Sequence, residues 1–90
     1  MNRYPTEDEL KKIEVWPNDY PILMEFIHYR WEYANCGYWR KTGKKYWLST
    51  GGRPGNEDII QAMEKNFMFW NLCWVQSRRG GHYIFEVKKV

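Results

Sequence analysis

Ninety residues make one domain, and a domain of that length buries only around two-thirds of its unfolded surface, near the low end for self-sufficient folding. Six Trp, seven Tyr and four Phe compensate, because each ring buries roughly 150–250 Å² and replaces several aliphatic side chains. The net charge of +3 is unremarkable, no apolar run reaches membrane-spanning length, and the charged residues of Met1–Leu10 exclude a secretory signal, so a soluble, cytoplasmic protein is expected.

Thr6 followed by Glu9 is a capping-box signature, and Leu10 and Ile13 fall on one helical face before Pro17 forbids continuation. A first helix is predicted from about Thr6 to Val15. Asn18 or Asp19 caps a second, with Pro21 tolerated in its first turn and Asn35-Cys36-Gly37 as a left-handed stop. Its apolar stripes, Leu23/Ile27/Trp31/Ala34 and Ile22/Phe26/Tyr29/Tyr33, cover more than half its girth. Such a helix packs on a sheet on one side and on the first helix or a second copy of the chain on the other.

After Gly37 the residues turn β-prone. Tyr38-Trp39 and Tyr46-Trp47-Leu48 read as a hairpin turning at Thr42-Gly43. Gly51-Gly52-Arg53-Pro54-Gly55 is a loop, and Asn56 is expected to cap a third helix that faces Ile59, Ile60 and Met63 inward and ends near Asn66. Phe67 to Ser77 reads as the strongest strand, turning at Arg78-Arg79-Gly80-Gly81 into a last strand from His82 to about Lys88. Pairing Ser77 with His82 sets Trp74 opposite Phe85 and Leu72 opposite Val87, with a core face of Met68, Trp70, Leu72, Trp74, Tyr83, Phe85 and Val87. The other face, with Phe67, Phe69, Cys73, Val75 and Ile84 among polar residues, is too apolar for a fully wet surface. No internal repeat or low-complexity tract is visible.

The fold class that follows is α+β: a four-stranded, mainly antiparallel sheet of two hairpins with helices packed on one face, in the order α-α-β-β-α-β-β, as a single compact domain. A winged helix is the alternative, with the third helix in the DNA major groove. Glu57, Asp58 and Glu64 on that helix would repel phosphates and argue against it.

Charge is segregated along the chain. Residues 1 to 35 carry −3, residues 36 to 56 carry +5, residues 57 to 66 carry −2 and residues 67 to 90 carry +3. The basic side chains Arg40, Lys41, Lys44, Lys45, Arg53, Arg78 and Arg79 are interleaved with Tyr38, Trp39, Tyr46 and Trp47, the residue types that hold a phosphate backbone while stacking on bases. If both hairpin turns point the same way, the two basic clusters converge, with His82 beside them. The competing structural reading is that Lys and Arg guard hairpin edges against aggregation.

Other chemistry is thin. The glycine loop lacks the Gly-Lys-Ser/Thr ending of a P-loop, and Glu57 and Asp58 already occupy the helix N-terminus behind it. Ser77, His82 and Glu86 form no triad, because His82 and Glu86 lie roughly 13 Å apart along one strand. Phosphoryl chemistry at His82 beside the two arginines is a remote third reading. Cys36 and Cys73 are read as reduced thiols, no metal-ligand spacing occurs, and no cofactor is expected.

The function expected from these features is a small non-enzymatic module that engages an acidic macromolecule, nucleic acid or protein, through basic, aromatic-flanked hairpins. The alternative is a homodimeric or protein-capping interaction or inhibitor protein using exposed apolar surface. A short chain without a signal or a catalytic motif also fits a phage or mobile-element reading frame.

Overall fold

The computed structural model describes residues 5–87. α1 (Glu7–Glu14) begins where the capping box places it: the Thr6 hydroxyl accepts the Glu9 N–H at 3.2 Å, and the Glu9 carboxylate accepts the Thr6 N–H at 2.9 Å. α2 (Tyr20–Arg30) has Asp19 at its N-cap in the left-handed region and Pro21 in the first turn.

This second helix stops at Arg30, earlier than predicted. Trp31 leaves the helix with extended backbone, and its buried indole N–H donates to the carbonyls of Tyr38 (3.0 Å) and Ser49 (3.2 Å). Those two bonds lie off the helix axis. A short 3-10 turn, Ala34–Cys36, then ends at the left-handed Gly37. Leu23, Met24, Ile27 and Trp31 are buried, whereas Ile22, Tyr29 and Tyr33 of the second stripe are exposed.

The first hairpin is β1 (Trp39–Thr42) and β2 (Lys45–Ser49), and Thr42 pairs with Lys45 across a two-residue turn. α3 (Pro54–Lys65) has Arg53, not Asn56, at its N-cap. Asn56 lies inside the first turn, fully buried, where its amide bonds the backbone of Glu32 and the Thr50 carbonyl.

The predicted strand over Phe67–Ser77 is corrected in its first part. Phe67–Cys73 forms a helix, α4, and only Trp74–Arg78 forms a strand, β3. Asn66 decides this: its Oδ1 accepts the Phe69 N–H at 3.2 Å, while its Nδ2 donates to the carbonyls of Ile13 and Trp16, each at 2.9 Å. A buried cap tied to the end of α1 therefore starts a helix in which Phe69 and Cys73, one turn apart, face the core. Leu72, placed opposite Val87 on a core face, is an exposed helical residue, as are Phe67 and Met68.

β4 (His82–Glu86) is the last element among the described residues, and Lys88, the expected end of the predicted strand, lies outside them. Trp74 pairs with Phe85 as expected, but a β-bulge between Trp74 and Gln76 shifts the rest, so that Ser77 faces Tyr83 and Arg78 faces His82.

The strands form one antiparallel sheet in the order β1-β2-β4-β3, within an element order α-α-β-β-α-α-β-β. β2–β4 pairing unites the two hairpins, and α3 packs on α1 and α4. α3 buries Ile59, Ile60 and Met63 and turns Glu57, Gln61, Glu64 and Lys65 to solvent, a face whose net negative charge does not suit a DNA-reading helix.

No repeat is visible in the sequence, yet the strand pairing repeats. The register is symmetrical about the Trp47–Ile84 pair: a two-fold axis there exchanges Tyr46 with Tyr83 and Leu48 with Phe85. It also exchanges their outer partners, Trp39 and Trp74. Over one half of the sheet, His28 and Trp31 meet Trp39 at ring distances of 4.8 and 5.8 Å. Over the other half, Trp70 of α4 stacks on Trp74 at 6.0 Å and meets Phe85 edge-on at 5.4 Å. The core lies between these helices and the sheet face carrying Tyr46, Leu48 and Phe85.

Candidate binding face

Alternation along each strand sends one set of side chains to the core and the other to the opposite face. Because Tyr46, Leu48 and Phe85 point inward, the outward rows follow from the register. One row runs Arg40, Trp47, Ile84, Gln76; beside it on one side lie Thr42, Lys45 and Glu86, and on the other Ser49, His82 and Arg78. Arg40, Lys45, His82 and Arg78 are exposed, and Trp47 is half-buried at the centre. Three permanent cations thus share this face with one carboxylate, Glu86, which stands opposite Lys45.

The local geometry holds several of these groups in place. The Arg40 guanidinium lies over the Trp47 ring at 5.1 Å, a cation–π contact between strand neighbours. Arg78 Nη2 donates to Gln76 Oε1 at 3.4 Å, and Ser49 Oγ and His82 Nδ1 share a hydrogen bond of 2.7 Å across β2 and β4.

The remaining predicted residues lie elsewhere. Tyr46 is buried on the core face, where burial first, then Glu25 and Cys73, raise its phenol above the ordinary value. Lys41 shares that side at the sheet's edge, with its ammonium over the Tyr46 ring at 5.6 Å. Lys44 sits in the first turn, its carbonyl accepting the Val87 N–H at 2.9 Å, and Arg79 sits in the second turn. Arg53 is engaged at the start of α3: Nε donates to the Glu32 carboxylate at 3.1 Å, and the guanidinium lies over Tyr33 at 5.0 Å.

Convergence of the two turns is also corrected. Lys45 pairs with Glu86 and Ser49 with His82, so the first turn lies beside the end of β4 and the second beside its start. The turns are at opposite ends of the sheet, separated by at least ~13 Å of strand. Arg40, Lys45, Arg78 and His82 nevertheless share a face, which strand alternation reveals once the β2–β4 register is known. The same step adds Trp47, Ser49 and Gln76, which charge patterning alone does not select.

Catalytic geometry is sparse. Ser77, the hydroxyl expected beside His82, is on the core side and accepts the Trp74 indole N–H at 2.8 Å; Ser49 is the true partner. Among the described residues no carboxylate orients the His82 ring and no three metal-ligating side chains cluster. A groove of about 350 Å³ between α1 and α3 carries Glu7, Glu14 and Asp58 against a single cation, Lys65, which pairs with Glu14; the net sign is wrong for an acidic ligand. Both cysteines are free, Cys36 exposed and Cys73 buried, and burial pushes the Cys73 thiol up to about 11.

No helix among the described residues is long and apolar enough to cross a membrane. No family model matches the chain, and neither curated proteins nor solved structures gave a significant similarity.

Proposed function

We propose that this protein is a non-enzymatic, cytoplasmic binding module that holds single-stranded nucleic acid against the helix-free face of its sheet. The observation that carries the reading is the placement of Arg40, Lys45 and Arg78 around a half-buried Trp47 on one face of the sheet, with Ile84 buried beside the ring. An open sheet with a central ring and a basic rim suits unstacked bases on the ring or on the Arg40 guanidinium plane, with phosphates at the rim. A rigid duplex, whose bases are already stacked inside, gains less from that surface. The two free thiols fit a reducing compartment.

Fluorescence anisotropy with a labelled oligothymidylate tests it. Three phosphate contacts on a single strand give a slope of about −2 in log K against log salt concentration. Arg40→Glu with Arg78→Glu should weaken binding at least about tenfold at unchanged melting temperature, and Lys44→Glu in the turn should do much less. If neither single strands nor duplexes bind at low salt, the nucleic-acid reading fails and an acidic protein surface becomes the partner to seek.

A further inference from the structure

The sheet has two edges that the pseudo-two-fold axis makes equivalent, and their chemistry differs. β1 carries Arg40 and Lys41 where β3 carries Gln76 and Ser77. Charges on an edge strand prevent another chain from adding to it, and β1 demonstrates that this fold accommodates them at those positions. β3 has neither at those positions and carries its one charge, Arg78, at its end, where β1 carries Thr42; all five of its residues are exposed, and the eleven residues Phe67–Ser77 before that arginine contain no charged side chain.

Apolar exposure is concentrated in the same stretch. Phe67, Met68, Leu72, Trp74 and Val75 are 79%, 62%, 67%, 42% and 44% exposed. Together they leave on the order of 600 Å² in water, at the top of what a monomer shows in one patch and most of the ~800 Å² that one partner contributes to a standard interface.

We propose that β3 is the edge through which two copies of this chain pair, antiparallel, into a continuous eight-stranded sheet. A two-fold axis perpendicular to the sheet is the operator that joins identical edges in this way. It places both α4 helices on the same side of the joined sheet, flanking the axis, so one operation covers the unpaired strand and the exposed helical side chains together. The bulge at Val75 confines regular strand pairing to the residues after it. Most of the burial is then supplied by α4, Trp74 and Val75. The proposal is independent of the nucleic-acid reading.

Sedimentation velocity of the full chain from about 1 to about 200 µM tests it by mass action. The expected result is a species of twice 11.1 kDa whose β3 amides exchange more slowly with deuterium as concentration rises. Gln76→Arg with Ser77→Lys copies the β1 charges onto β3 and should raise the dimer dissociation constant at least about tenfold, since like charges would face each other across the axis. Leu72→Glu on α4 should do the same, and it decides the matter if the strand variant fails to fold by circular dichroism. A monomer at every concentration overturns the proposal and leaves the edge to a different protein. A dimer that survives both substitutions, or whose β3 amides exchange at the monomer's rate, overturns it as well.

Discussion

The side-chain amide of Asn56 grips Glu32 as a second peptide group would: Oδ1 accepts the Glu32 N–H at 2.9 Å and Nδ2 donates to the Glu32 carbonyl at 3.2 Å. The same Nδ2 also reaches the Thr50 carbonyl at 3.3 Å. One buried side chain therefore fixes the segment after α2, the end of the first hairpin and the start of α3 relative to one another. Asn56→Ala strands these backbone groups away from water, and its expected effect is a loss of about 2–4 kcal/mol. Urea denaturation measures it; a loss under about 1 kcal/mol would mean that water replaces the amide without penalty.

Trp74 and Phe85 face each other across β3 and β4, yet they should behave differently on truncation. The alternation read from sequence puts both in the core, where Trp74→Ala would unfold a domain this small. With Trp74 partly in water and Phe85 fully enclosed, Phe85→Ala should lose about 3–5 kcal/mol and Trp74→Ala under about 2 kcal/mol. Equal losses in chemical denaturation would restore Trp74 to the core.

The two thiols should separate by reactivity and by pH. Exposed Cys36 should react with a thiol reagent in the native protein at about pH 8, and Cys73 only after unfolding. Burial raises the Cys73 thiol from 9.0 to about 11, and it raises the phenols of Tyr20, Tyr46 and Tyr83 in the same direction. The unfolded chain then releases these protons first. The stability linked to Cys73 is complete below pH 9.0 and is lost as the pH climbs towards about 11. The urea midpoint should be level up to pH 9.0 and then fall, less steeply in Cys73→Ala, the tyrosines supplying the remainder. A native Cys73 that reacts as fast as Cys36 would refute the buried placement.

Local chemistry makes part of this molecule legible. The Thr6–Glu9 capping box and the first hairpin turn are decided within a few residues; the helix starts where the sequence puts it, and the turn, expected at Thr42-Gly43, falls one residue later at Gly43-Lys44. The aromatic residues of Phe67–Cys73 suit a strand on propensity, whereas the bonds that make the segment a helix run from Asn66 to Ile13 and Trp16, distant in the chain. The charges of Arg40, Lys45 and Arg78 are plain in the sequence, but their common face depends on the β2–β4 register and on a bulge at Val75 that no single residue announces.

The exchange of Trp39 with Trp74 and of Tyr46 with Tyr83 about one axis shows how the two halves of the chain depend on each other. Each half of the chain is an α-α-β-β unit that offers its partner one central strand, β2 or β4, and one helix, α1 or α3. Neither half closes a core alone, and pieces of roughly forty residues fall below the size that usually folds unaided.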